Sequence, residues 1–204
     1  MNRIPRVGEK APQFAAVAFH DGVPVEVRLS QYTGQWVILI FYPGDFTCVC
    51  PTEIAALAVK YPAIRELGAE ILVVSTDEVE TDRRFHERCL SKLVPGGARF
   101  PLLSDPGGVI GSMYGVYDTQ ARLELRSHFI IDPEGIIQSL EMVAAHVGRS
   151  AKEMLRQLRA LKEHHATGRM MPCGWEPGKP TLAAGVDTGE GTLPGDSWKP
   201  RDAF

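Results

Sequence analysis

The chain has 204 residues, 44% of them hydrophobic and 23% charged, with a formal net charge of −3. That length allows one sizeable domain and somewhat more, while the near-neutral charge gives no electrostatic case for nucleic acid or an anionic membrane as partner. No window approaches ~18 consecutive apolar residues, so no membrane-spanning helix is expected.

The segment Met1 to Phe14 has basic residues but no apolar core of about 7–15 residues behind them, so it does not read as a signal peptide. A cytoplasmic location is expected. Gln35 to Tyr42 (QWVILIFY) is a near-continuous apolar run ending at Pro43-Gly44, the pattern of a strand buried on both faces. Past Pro51, the residues Ile54, Leu57, Tyr61, Ile64 and Leu67 recur at helical spacing, with Gly68 as the stop and Pro62 expected to kink or split the helix. Glu70 to Ser75 reads as a second buried strand. Phe85, Cys89 and Leu93 form an i, i+4, i+8 stripe, which predicts a second helix with Cys89 packed in the core. Ser127 to Ile131 is a third buried strand, and the turn Asp132-Pro-Glu-Gly135 returns the chain as a hairpin. A further helix from Ser150 is expected to bury Leu155, Leu158 and Leu161.

Strands alternating with helices predict an α/β fold with helices covering a central mixed sheet. From Gly168 to Phe204 the chain is rich in Gly and Pro and has no sustained period. The expected division is therefore a folded domain over residues 1–167 and an extended C-terminal arm over 168–204. Trp175 and Trp198 in that arm read as docking anchors rather than ligand stackers.

The four cysteines are Cys48, Cys50, Cys89 and Cys173. In a reducing compartment any disulfide among them should be transient and catalytic. A zinc site needs paired ligands; Cys48 and Cys50 are one residue apart and no histidine pairs with them, so no metal and no cofactor is expected.

Chemistry concentrates in Phe41-Tyr-Pro-Gly-Asp-Phe-Thr-Cys-Val-Cys-Pro-Thr-Glu53. A buried strand delivers the chain to a tight turn, and a helix begins at Cys50-Pro51, where proline suits the first turn because its missing N–H would lack a partner anyway. Cys50 therefore lies where free N–H groups and the positive end of the helix dipole converge. Negative charge is favoured there, and the thiolate is the nucleophilic form of cysteine. Thr47, three residues upstream, is within reach of that sulfur. The bland reading of Cys50, a buried structural cysteine, is outweighed by this context. For Cys48 the bland reading is preferred: a packed small hydrophobe. A Cys48–Cys50 disulfide would close a strained ring. Arg126 could be an ordinary surface arginine. His128, two residues on, is expected to be satisfied by packing or a backbone partner.

Pro43-x-x-x-Thr47-x-x-Cys50 resembles the P-x-x-x-T-x-x-C signature of the peroxiredoxins, and the Cys-Pro-Thr-Glu that ends at Glu53 resembles their typical two-cysteine branch. The resemblance runs from Gly8 to Lys162. Gly8-x-x-Ala-Pro-x-Phe14 is similar to the family's opening, Phe100-Pro-Leu-Leu-Ser-Asp105 to its mid-chain element, and Leu125 to Gly135 to the stretch holding its active-site arginine. It implies a thioredoxin-like fold and a hydroperoxide-reducing site. Carried over, Thr47 would bond both peroxide and thiolate, and Arg126 would stabilise the thiolate and the departing oxygen. Pro43 would shield the sulfur, and Glu53 would orient Arg126.

The resemblance also implies that Cys173 resolves the sulfenic acid of Cys50 in a partner subunit, within a homodimer that can build into a ring, and that a thioredoxin-like or other dithiol protein recycles the disulfide. The chain departs from the family here: anchored on Trp175 and Pro172, the usual resolving position falls on Met171, two residues early. One-cysteine chemistry with an external thiol stays open, as does a role as an oligomeric holdase or peroxide sensor. A thioredoxin-type disulfide oxidoreductase would want C-x-x-C at the helix start, and the chain has Cys-Val-Cys.

Overall fold

The apolar run expected as a buried strand forms β3, Trp36–Phe41, in which all six residues are buried. The computed structural model describes residues 3–182 and 198–203. Its other strands are β1 (Ala15–His20), β2 (Val23–Arg28), β4 (Ala69–Ser75), β5 (Leu102–Ser104), β8 (Ser127–Ile131) and β9 (Ile137–Met142), with β6 (Tyr117–Asp118) and β7 (Leu123–Glu124) as a separate small ribbon. The main sheet has the order β2-β1-β5-β4-β3-β8-β9. β3 runs parallel to β4, with Phe41 opposite Val74, and antiparallel to β8, with Phe41 opposite Ser127. β4 pairs parallel with β5, while the remaining main-sheet pairs are antiparallel. This is the mixed α/β sheet expected.

Strands covered on both faces read as continuous apolar runs, which is why β3, β4 and β8 were legible. Each fully buried Val, Leu, Ile or Phe contributes about 1.5–3 kcal/mol, so β3 is firmly fixed where it hands the chain to the Tyr42–Val49 loop. Asp132-Pro-Glu-Gly135 makes the expected turn, with Gly135 at φ 78° and the Asp132 carboxylate accepting from Ile136 N–H at 2.8 Å.

Helix α1 spans Cys50–Glu66 and buries Ile54, Leu57 and Ile64. Pro62 lies inside it without splitting it. The expected stripe Phe85–Cys89–Leu93 fails beyond Phe85. Helix α2 (Val79–Phe85) passes into a π-turn over His86–Leu90 and then α3 (Ser91–Leu93). One residue is added per π-turn, so the buried face moves from Cys89 to Leu90, leaving Cys89 partly exposed and Leu93 54% exposed. Helix α4 is the short Val109–Met113.

The chain groups into two compact units with the boundary after Ala151. The second begins within α5 (Ala151–Thr167), whose buried positions are Ala151, Met154, Leu155 and Leu158. Leu161, expected in the core, is only half-buried. Farther on, Met170 and Leu182 form an isolated bridge, and Trp175 is buried with its indole N–H donating to the Lys179 carbonyl at 3.1 Å. Pro200–Ala203 make a 3-10 turn. Residues 183–197 and 204 of the expected arm lie outside the described residues.

Candidate active site

Cys50 is the first residue of α1, followed by Pro51, and its side chain is fully buried. The sequence folds this way because β3 ends at Phe41, a loop turns the chain, and Pro51 is pre-organised for the first turn of a helix, where its missing N–H costs nothing. The loop puts Phe46 at φ 52°, in the left-handed region that a non-glycine residue rarely adopts. Thr47 is exposed, and its hydroxyl donates to the Gly44 carbonyl at 3.2 Å. Pro43 is half-buried at the head of the same loop.

Arg126 sits between β7 and β8 and is 2% exposed, which removes the surface-arginine reading. Its Nη2 lies 3.4 Å from Cys50 Sγ. The same guanidinium is held from two other sides. Nε and Nη2 donate to the Ala145 carbonyl at 3.0 and 2.7 Å, and Nη1 pairs with Glu53 Oε2. Glu53 is one turn into α1 from Cys50, so the helix that carries the sulfur also carries the anchor of the cation facing it.

A second buried arginine, Arg149, was not legible in the sequence. Its backbone N–H and its Nε donate to Glu53 Oε1 at 2.6 and 2.9 Å, and Nη1 donates to the Ser127 carbonyl. Burial works against ionisation of Glu53, yet the hydrogen bonds and charge of Arg149, with the charge of Arg126, hold its carboxyl below the usual carboxylate range. The ensemble is a buried Arg–Glu–Arg group in which one arginine is left a free corner toward sulfur. Such a group has the geometry to stabilise negative charge on sulfur and on an oxygen leaving it, without reorganising first.

His128, on β8, is fully buried. Burial, then the charge of Arg149, opposed by Glu53, pushes it down to about 3, so the ring is neutral. Its Nδ1 comes within 3.3 Å of the Glu141 carboxylate, but neither ring nitrogen makes a hydrogen bond to any of the described residues. It is packed, with no backbone partner among them.

Cys48, expected as a packed small hydrophobe, is exposed; all four cysteines are free thiols. Position 48 lies in the loop ahead of α1, whereas position 50 is the first residue of the helix and is buried with it. Cys173 is exposed, between Pro172, whose carbonyl accepts from Trp175 N–H at 3.1 Å, and Gly174 at φ 67°. Among the described residues no group of three His, Cys, Asp or Glu side chains could hold a metal ion, and no helix is long and apolar enough to cross a membrane.

The sequence pattern of the AhpC/TSA family matches residues 7–140. The chain belongs to this family of peroxiredoxins. It is 49% identical over 181 residues to the selenocysteine-containing peroxiredoxin PrxU of Peptoclostridium acidaminophilum, covering 88% of this chain and 89% of that one. It is 39% identical over 182 residues to peroxiredoxin-2 of Macaca fascicularis, covering 89% and 92%. The crystal structure of the reduced 2-Cys peroxiredoxin of Plasmodium vivax superposes with a TM-score of 0.81 at 37% identity, covering 86% of this chain and 91% of the other. The thioredoxin-like fold expected of the peroxiredoxin resemblance therefore stands, and the chain is a thiol-dependent peroxidase, an oxidoreductase.

Proposed function

We propose that Cys50 is the attacking sulfur of this peroxidase and that it takes hydroperoxides as substrates. The observation that carries this reading is the buried Arg126 Nη2 3.4 Å from Cys50 Sγ at the start of α1. The Cys50 thiolate attacks the terminal oxygen of R–O–O–H. A sulfur–oxygen bond forms and the O–O bond breaks, giving Cys50 sulfenic acid and an alkoxide that takes a proton to leave as alcohol, or as water when R is hydrogen. Arg126 stabilises both the thiolate and the departing oxygen, Glu53 and Arg149 hold Arg126, Thr47 offers its hydroxyl to peroxide and sulfur, and Pro43 shields the site.

In the second half of the cycle the sulfenic acid condenses with the Cys173 thiol of a partner subunit, forming a disulfide and releasing water. A thioredoxin-like or other dithiol protein then reduces that disulfide to two thiols. The exposure of Cys173 on the 168–204 arm supports this assignment. A homodimer is the assembly this exchange requires, and such dimers can build into a ring; β9 closes one end of the sheet order and offers the edge on which a second copy could add. A cytoplasmic setting suits a chain whose four cysteines are all free.

The deciding experiment is peroxide consumption with a dithiol reductant. Cys50→Ser should abolish turnover, whereas Cys48→Ser and Cys89→Ser should keep most of it. A folded Cys48→Ser variant as inactive as Cys50→Ser would overturn the assignment.

A further inference from the structure

Beside the Cys50 loop lies a group of acids that the peroxidase chemistry does not use. Asp45, in that loop, and Asp82, on α2, are 8% and 1% exposed. Their carboxyls face each other within hydrogen-bonding reach. Yet Asp45 Oδ2 and both oxygens of Asp82 lack a donor among the described residues. A buried carboxylate without a donor is costly, and two of them in contact cannot both be ionised.

The surroundings make matters worse for a second charge. Tyr42, at the end of β3, donates its hydroxyl to Asp45 Oδ1 at 2.6 Å. From the turn before α2, Asp77 accepts the Asp45 backbone N–H at 2.8 Å through Oδ2, and the same oxygen accepts from the Ser75 hydroxyl at 2.9 Å. Asp77 and Glu78 add negative charge facing the pair.

We propose, building on the peroxidase reading, that Asp45 and Asp82 share a proton that pins the Gly44–Thr47 loop over Cys50, so that losing the proton disables peroxide attack. Asp82 is thus a positioning residue that acts through Asp45. The loop it holds carries Thr47, two residues from Asp45, and the left-handed Phe46, a conformation that persists only where neighbours fix it. Burial, followed by the mutual charge of the two groups and that of Asp77, pushes Asp82 up to about 9; Asp45, raised chiefly by burial, goes to about 7. The pair titrates as a unit, and it keeps its last proton through neutrality.

The test is the single-turnover rate of Cys50 oxidation by hydrogen peroxide, with the reduced full-length chain, from about pH 7 to about pH 10. Each variant is scaled to its own value at the neutral end. A thiolate only gains population as pH rises, so a falling limb cannot come from the sulfur. The wild-type rate should fall at least about fivefold across this range. Asp82→Asn carries a permanent N–H donor of the same shape, so its rate should fall less than about twofold. If that variant does not fold, Asp45→Asn is read the same way, since its amide can still accept from Tyr42 and donate to Asp82. A flat wild-type profile overturns the inference, as does a falling limb that survives in a folded Asn variant; in both cases the peroxidase reading stands. A wild-type chain that consumes no peroxide at any pH sinks both.

Discussion

Arg149 and Glu53, 96 positions apart, meet through backbone and side chain at once: the Arg149 N–H donates to Glu53 Oε1 at 2.6 Å and its Nε to the same oxygen at 2.9 Å. Because Glu53 also pairs with Arg126, Arg149 governs the cation that faces Cys50 at second hand. Removing one member of a buried ionic group leaves charge uncompensated, at a cost of about 3–5 kcal/mol. Arg149→Met should therefore lower the urea midpoint sharply. It should also slow peroxide attack, because Glu53 is free to pull Arg126 away from the sulfur. Equal stability of the two proteins would show that the Arg149 contacts contribute nothing net.

Arg126 makes four contacts with a single planar fork: two to the Ala145 carbonyl, one to Glu53 and one to Cys50 Sγ. A lysine keeps the charge but has a single nitrogen on a flexible stem. It can serve Glu53 or the sulfur, and not both. Arg126→Lys should lose much of the peroxide rate, and Arg126→Ala about 10²–10³-fold, the scale of removing one preorganised donor. Stopped-flow measurement of Cys50 oxidation reads this directly. A lysine variant at the wild-type rate would mean that charge alone suffices.

The proposed resolving role of Cys173 gives a plain readout on a non-reducing denaturing gel. One equivalent of peroxide should turn the wild-type chain into a dimer band, absent in Cys173→Ser. That variant should also over-oxidise at Cys50, since no thiol intercepts the sulfenic acid. A wild-type chain that stays monomeric, with Cys173 still open to alkylation, would establish one-cysteine chemistry with an external thiol.

The elements that sequence reading found are those whose pattern is set by burial of one kind of side chain. β3 is apolar throughout, β4 and β8 are mostly so, and α1 repeats Ile54, Leu57 and Ile64 at helical spacing. Pro51 marks the helix start that places Cys50. What escaped reading depends on partners far away in the chain. Arg149 stands before Ser150 with nothing periodic to single it out, and its burial comes from Glu53 and the Ser127 carbonyl. The π-turn over His86–Leu90 moved the apolar face by one residue, and the spacing of Phe85, Cys89 and Leu93 looked regular without it. Nothing in the sequence marks Asp45 and Asp82 as buried, because their burial depends on packing between the Tyr42–Val49 loop and α2.

Stability should depend on pH in a way that separates these buried groups. Glu124 is 1% exposed with neither oxygen bonded to a donor, and its carboxyl lies against the Cα of Gly111, where any side chain would collide with it. Burial, then the charge of Asp105, pushes Glu124 up to about 9. A folded-state value above the unfolded one means that the native chain holds the proton more tightly. The stability this brings is complete below the ordinary carboxylate range and is lost as pH rises through about 9. Over that window each such proton lowers stability by about 1.4 kcal/mol per pH unit. His128 acts in the opposite direction: depressed to about 3, it contributes stability above its ordinary value near 6.5 that is lost as pH falls toward 3. Stability should therefore peak between the two regimes, on the acid side of neutral. Glu124→Gln, which needs no proton to stay neutral, should flatten the alkaline slope of urea-unfolding free energy measured from about pH 6 to about pH 9 by close to one proton's worth. An unchanged slope would mean that Glu124 is ionised in the folded protein.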